Sequence, residues 1–168
     1  MGETKVTKNF YQQIHNGVSA RPWLKAAVTA SAKLLPGLVY LSYPLLLLYL
    51  LIWNRAVLLR SVLVPAAGFL IVTVLRAAIN APRPYEALGI PAVTHKDTQG
   101  KSFPSRHAAC GAVIAVTALY ALPPLGWALL AVSLLIALSR VLSGVHFVKD
   151  VLAGWLLGAM IGCIGFLI

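Results

Sequence analysis

The chain has 168 residues, of which 60% are hydrophobic and only 11% charged, less than half the charge of an ordinary soluble domain. Lipid is therefore the expected solvent, and one domain is the expected count at this length. The net charge of +10 reads as attraction to anionic lipid, and nucleic acid is excluded as a partner because no soluble basic domain is present to grip a duplex.

Residues 1 to 33 mix cations with apolar residues. Phe10, Tyr11, Ile14 and Val18 recur at roughly helical spacing, which predicts an amphipathic helix lying on the bilayer. The first residues are polar and the first long apolar run begins near Leu34, so no cleavable signal peptide is expected. Leu34 to Trp53 is the first predicted span, because about 20 apolar residues cross the hydrocarbon core. Asn54-Arg55 makes a turn and Ala56 to Leu75 spans back, with Arg60 expected to snorkel to the interface. Residues 76 to 106 read as a polar, proline-containing loop. Further spans are predicted from His107 to Leu122, from Leu125 to Val141 beyond Pro123-Pro124, and from His146 to Ile168.

The expected fold is an all-α integral membrane bundle of five to six transmembrane helices with an amphipathic N-terminal helix. The sixth would be a segment around Val18 to Lys33 that lies flat or crosses weakly. A single domain covers residues 1 to 168, with 1 to 33 as the amphipathic segment and 56 to 168 as the motif-bearing core. These boundaries put Arg76 to Arg106 and Ser139 to Asp150 on the same membrane face, so three separated polar clusters converge on one site.

The first cluster is "RAAINAPRPYE". Arg76 and Arg83 lie at the surface, and Pro82 and Pro84 end the helix and stiffen the chain. A guanidinium keeps its charge, and its planar fork matches phosphate oxygens. Alone, the pair would read equally well as interfacial anchors. The second is "GKSFPSRHAAC", where Ser105, Arg106 and His107 stand at the turn into a helix. Free amides and the helix dipole favour an anion there, and Ser105 would either donate its hydroxyl or cap the helix. The bland reading is a capped helix with a polar first turn. Its "RH" also echoes the Arg-His-Gly of soluble histidine acid phosphatases, a match too short to weigh.

The third cluster is "SRVLSGVHFVKD". His146 and Asp150 are four residues apart, so on the final helix they would share one face. Asp150 would fix the imidazole tautomer and leave the other ring nitrogen as a nucleophile. Ionisable groups in a spanning segment are costly, which favours function over a satisfied interfacial histidine.

The four acidic residues, Glu3, Glu86, Asp97 and Asp150, are too few and too scattered for a two-metal centre. Cys110 has no arginine in the residues that follow, and Cys110 and Cys163 form no metal-spacing motif. No metal or cofactor is expected. The inventory instead suits metal-free phosphoryl transfer, in which arginines neutralise the oxygens, one histidine attacks and a second protonates the leaving group.

The three clusters resemble the signature of the type 2 phosphatidic acid phosphatase family of integral membrane lipid phosphatases. Its pattern reads Lys-x6-Arg-Pro, Pro-Ser-Gly-His and Ser-Arg-x5-His-x3-Asp. The chain has "RAAINAPRP", "PSRH" and "SRVLSGVHFVKD", and the motifs with their helices cover residues 56 to 168. The resemblance implies that His146 is the nucleophile forming a phosphohistidine, that Asp150 orients it, and that His107 protonates the leaving alkoxide. It implies that Arg76, Arg83, Ser105 and Arg140 bind phosphate, joined by the Arg106 amide. It also implies a metal-independent reaction at a lipid headgroup, with undecaprenyl diphosphate, phosphatidylglycerol phosphate and phosphatidic acid as candidate substrates.

Two positions depart from the pattern: Arg76 stands for lysine and Arg106 for glycine. Arg106 adds a cation at the site mouth and is expected to favour a second phosphate. The small size suits a bacterial envelope enzyme, whose site the resemblance places outside the cell. If residues 1 to 33 do not cross, however, their cations share the site's face, and the positive-inside rule points to the cytoplasm.

A non-catalytic anion transporter or lipid-binding protein is the alternative, but it would need neither Asp150 behind His146 nor a second histidine. The related vanadium haloperoxidases share such a pocket but are soluble. The stripe Gly154, Gly158 and Gly162 is expected to pack within the bundle rather than form a dimer seam, and the oligomeric state stays open. Trp23, Trp53, Trp127 and Trp155 are expected as interfacial anchors. "THKDTQGK" reads as a solvated hairpin with an inert His95, and Tyr85 and Phe103 as lining the route to the site.

Overall fold

The computed structural model describes residues 2–94, 96 and 98–167, so His95 and Asp97 lie outside the described residues. Within them are seven helices and no strand: α1 (Gly2–Ser19), α2 (Pro22–Trp53), α3 (Arg55–Ile79), α4 (Pro84–Leu88), α5 (Arg106–Ala121), α6 (Pro123–Leu142) and α7 (Val148–Leu167). By length and composition α2, α3, α6 and α7 can each cross a membrane, and α5 is a shorter apolar helix beside them. The all-α membrane bundle is thus present, with α1 as the amphipathic addition.

The N-terminal segment divides where proline requires it. Pro22 disfavours helical geometry at Arg21, which is extended at φ −119° and ψ 103°, and opens a new helix. Residues 22–33 therefore belong to α2 rather than to a separate surface or crossing helix. At 32 residues α2 is about 48 Å long, well beyond a bilayer core of about 30 Å. Its surplus lies at the site end, and the span itself starts near Leu34, as the hydropathy predicts. Helix α1 does not cross. Its Tyr11 packs edge-on against Phe147, with ring centroids 5.4 Å apart, and its hydroxyl accepts the Val148 N–H at 2.8 Å. Val18 closes a small cluster with Val28 and Val93. These contacts hold α1 over the end of the bundle where α7 begins.

Two other boundaries move. Arg76 is not in a loop but in the last turn of α3, which continues to Ile79 and stops at Asn80 in the left-handed conformation (φ 44°). The sequence Arg-Ala-Ala-Ile suits a helix, and Pro82 is what prevents its continuation. At the other end, α7 starts at Val148, so His146 precedes the helix instead of lying on it.

Helix α5 is the axis of the bundle. Every residue from Ala108 to Ala118 is buried among α3, α6, α7 and part of α2. The glycine stripe of α7 faces it. A Cβ on Gly158 would sit 2.1 Å from the Ala109 carbonyl oxygen, one on Gly154 2.4 Å from that of Ser105, and one on Gly162 2.7 Å from Val116 Cβ. The stripe packs inside the bundle, and it brings the start of α7 against the start of α5. Gly158→Ala must separate two backbones and is expected to cost about 1–3 kcal/mol, from overpacking. A thermal midpoint in detergent equal to that of the unchanged protein would contradict this packing. Trp23, Trp53 and Trp127 are exposed on the surface, but Trp155 is not an anchor. Its indole N–H donates to Ser133 Oγ at 3.0 Å between helices.

Candidate active site

The close α5–α7 approach brings the second and third clusters together, and α3 brings the first. A cavity of about 400 Å³ opens at this end of the bundle, and its wall includes Arg76, Arg83, Arg106, His107, Arg140 and His146. Six of the eight predicted site residues thus share one space. Asp150 stands behind His146, and Ser105 is fully buried off the wall.

His146 is 3% exposed and lies in the tight connection between α6 and α7. Its Nδ1 is 3.6 Å from Asp150 Oδ2 and 3.4 Å from Ser102 Oγ. The predicted meeting of the two side chains therefore occurs, although by a different route from two residues on one helix face. Asp150 is in the first turn of α7, and its Oδ2 accepts the Phe147 N–H at 2.9 Å, which caps the helix and holds the carboxylate under the preceding imidazole. Ser102 Oγ donates to the same oxygen at 2.5 Å. With Nδ1 on this polar backing, Nε2 is the ring nitrogen left for the cavity. Burial holds the His146 pKa below the ordinary histidine value. The Asp150 hydrogen bond opposes that shift, while the positive charge of Arg83 adds to it.

The arginines are held by backbone carbonyls. Arg76 Nη1 donates to the Pro104 carbonyl at 2.7 Å, just before α5. Arg83 Nε donates to the Gly100 carbonyl at 3.0 Å and its Nη1 to that of Val145 at 3.3 Å, beside His146. Arg140 Nη2 donates to the Ala32 carbonyl at 2.7 Å. Charges fixed in this way need little reorganisation when an anion arrives. Arg106 differs: it is exposed, and its guanidinium lies 5.6 Å from the centre of the Phe69 ring. Ser105 does not cap α5 through its side chain, and its hydroxyl has no partner among the described residues.

Four contributors were not singled out by the sequence reading. Ser102 is an isolated serine with no pattern to mark it. Glu86 accepts the Arg83 N–H at 2.8 Å and the Gly100 N–H at 3.0 Å, tying loop and helix around Arg83. The Arg83-x-x-Glu86 spacing is that of a capping box, hidden because the cap is arginine instead of serine or threonine. Lys96 and Lys101 complete the cationic wall. Burial and the neighbouring guanidiniums, Arg83 first, push the Lys96 pKa down. The described part of "THKDTQGK" is mostly exposed, as expected, but it is an irregular loop instead of a hairpin and it walls the cavity. Tyr85 and Phe103 are not among the residues that line the cavity, and the Tyr85 hydroxyl donates to the carbonyl of Thr98, which does line it. Among the described residues no three His, Cys, Asp or Glu side chains gather closely enough to hold a metal ion.

Fold and site together define a class: an α-helical membrane protein with a pocket lined by histidines and arginines at one end of its bundle. The model of the PAP2 superfamily matches residues 57–168, and the chain belongs to that family. LpxE of Aquifex aeolicus, known from its crystal structure, is similar at 27% identity with a TM-score of 0.77, over 97% of this chain and 96% of that one. The first transmembrane PAP2 type phosphatidylglycerolphosphate phosphatase from Bacillus subtilis is similar at 25% identity with a TM-score of 0.64, over 99% and 95%. An undecaprenyl-diphosphatase of Sulfolobus acidocaldarius is 46% identical over 61 residues, a match covering 36% of this chain and only 30% of the length of that relative.

Proposed function

We propose that the protein is a metal-independent lipid phosphate phosphatase that works through a phosphohistidine. The observation that carries the reading is the backing of His146: Asp150 and Ser102 sit at Nδ1, which leaves Nε2 for a cavity walled by guanidiniums. In this reading Nε2 attacks phosphorus as the bond to the lipid oxygen breaks, and His107 gives that oxygen its proton. Water then attacks phosphorus, the P–N bond breaks, and His107 accepts the water proton. Inorganic phosphate and free His146 are released. Arg76, Arg83, Arg140 and Arg106 carry the oxygen charge throughout, with the Ser105 hydroxyl as a spare donor. Phosphate release by purified protein in excess chelator tests it, and folded protein inert on undecaprenyl diphosphate, phosphatidylglycerol phosphate and phosphatidic acid would sink it. In that event binding or transport of lipid phosphate would be the reading left.

A membrane lipid fits because an apolar recess of about 480 Å³, lined by residues including Tyr40, Tyr43, Phe69 and Cys110, opens among α2, α3 and α5. Phe69 carries Arg106 on its face, so recess and anion cavity adjoin there. A tail in the recess leaves its headgroup among the arginines. The names of two similar proteins, an undecaprenyl-diphosphatase and a phosphatidylglycerolphosphate phosphatase, agree with a lipid phosphate substrate, and a substrate with two phosphoryl groups would use Arg106 best. We expect Arg106→Gly to lower the ratio of diphosphate to monophosphate turnover, and an unchanged ratio would remove the diphosphate preference.

The His146 shift sets a pH dependence. A folded-state pKa below the ordinary value of about 6.5 means the neutral ring is favoured by folding. Its stabilising contribution is complete above pH 6.5 and is lost as pH falls through the lowered value. The nucleophile is neutral over the same range, so the acid limb of kcat/KM that His146 sets should lie below 6.5. An acid limb centred at or above 6.5 would contradict it.

We read the single domain as lying in a bacterial plasma membrane with its site outward, like an envelope enzyme. Among the basic residues only Arg55 and Arg60 stand at the opposite end of the bundle. An outward site is therefore translocated against the positive-inside bias, and its cations form a collar for anionic headgroups. Lys149→Cys, in a chain with Cys110 and Cys163 replaced, should react with an impermeant thiol reagent on intact cells. Reaction only after permeabilisation would place the site in the cytoplasm.

A further inference from the structure

Helix α2 contains two internal prolines, Pro36 and Pro44, and α3 contains Pro65. A helical carbonyl ordinarily accepts the N–H four residues on, and proline has none, so the carbonyls of Ala32, Tyr40 and Ser61 lose their helical donors. Inside a membrane such an acceptor must find another donor or remain costly. Two of the three are supplied by distant side chains. The Tyr43 hydroxyl donates to the Ser61 carbonyl at 2.8 Å, and Arg140 Nη2 donates to the Ala32 carbonyl at 2.7 Å. The Tyr40 carbonyl has no side-chain donor among the described residues.

The Ala32 case bears on the site. Arg140 is in the last turn of α6, is 8% exposed, and lines the anion cavity. The Ala32 carbonyl holds it by one arm, while its Nε is buried with no partner. A buried guanidinium with no acidic partner among the described residues and a proline-orphaned carbonyl each lack something that the other provides. The bond is made on the helix side, so the remaining donors stay available to an anion.

We propose that Pro36 is a positioning residue for the phosphate site: by withholding an N–H from the Ala32 carbonyl, it makes that carbonyl the anchor that orients Arg140. The inference rests on the reading of Arg140 as a phosphate ligand. With alanine at 36, a backbone N–H competes for the Ala32 carbonyl, and the guanidinium loses the fixed charge-assisted bond that aims it.

The test reads affinity for inorganic phosphate from its effect on the thermal midpoint of the full-length protein in detergent, which works equally for inactive variants. Pro36→Ala is expected to weaken phosphate binding about threefold to tenfold, as loss of one charge-assisted orienting bond would. The midpoint without phosphate should stay the same or rise, because alanine restores a helical bond. Pro44→Ala should leave phosphate affinity within about twofold of the unchanged protein, since the Tyr40 carbonyl anchors no site residue. Arg140→Ala should weaken binding, and adding Pro36→Ala to it should weaken it no further.

The proposal is overturned if Pro36→Ala binds phosphate normally, if its midpoint falls along with affinity, or if Pro44→Ala does equal damage. It is also overturned if the Pro36 and Arg140 effects multiply. Unchanged affinity in Arg140→Ala would remove the phosphate-ligand reading of that arginine itself, and the Pro36 inference with it.

Discussion

Turnover of every phosphate ester should fall on the order of 10⁴-fold or more in His146→Ala, while affinity for inorganic phosphate changes little. The asymmetry follows from the site. In the proposed reading His146 offers one ring nitrogen to the cavity, whereas the oxygen charge is met by guanidiniums, which are anchored to carbonyls at Pro104, Gly100, Val145 and Ala32. Removing the imidazole leaves those anchors in place. Asp150→Asn should be milder, because the Ser102 hydroxyl still lies 3.4 Å from Nδ1 and can hold the ring. Steady-state turnover together with phosphate-dependent thermal shifts measures both quantities. Residual turnover near that of the unchanged protein would remove His146 from the reaction.

His107→Ala should show an effect that depends on the leaving group. Alkyl phosphates, lipids included, leave as strongly basic alkoxides and need a proton as the bond breaks, so a loss of about 10²- to 10⁴-fold is expected. An aryl phosphate with an acidic phenol leaves without help, and there the loss should stay within about tenfold. His107 occupies the first turn of α5 on the cavity wall, opposite in the chain to His146 yet in the same space. Equal losses on both substrate types would mean that His107 positions the phosphate instead of protonating the leaving group.

The site was legible in the sequence to the extent that its residues carry unusual chemistry for a membrane chain. Arg76, Arg83, Arg106, His107, Arg140 and His146 stand out because charge is expensive in lipid, and the parity of the apolar runs puts them at one end. What the sequence hides is local geometry. The His146–Asp150 contact depends on where α7 begins, and spacing alone cannot separate one helix face from a capping carboxylate beneath a turn. Ser102 and Glu86 are invisible for a related reason: each acts on backbone or on one oxygen that only the folded loop brings near. Trp155 illustrates the reverse error, since a tryptophan in a spanning helix fits an anchor until its indole is found bonded to Ser133.

The fold follows the same division. Hydropathy places the spans because a bilayer requires about 20 apolar residues. It does not place helix ends, because helices continue into water wherever local residues permit. Thus α2 begins a dozen residues before its span, at Pro22, and α3 outlasts its span as far as Asn80. The Gly154, Gly158 and Gly162 stripe was readable as a packing surface, and its partner proves to be α5, which needs close approach on nearly every side.

The measurement that bears most directly on the whole account is capture of the covalent intermediate. Purified protein would be mixed with a lipid labelled in its terminal phosphate, in excess chelator, and quenched within a turnover. The account predicts protein-bound phosphate that is stable to base and labile to acid, localised to the peptide carrying His146 and absent from His146→Ala. Rapid turnover with no label on the protein, or label that persists in His146→Ala, would contradict it.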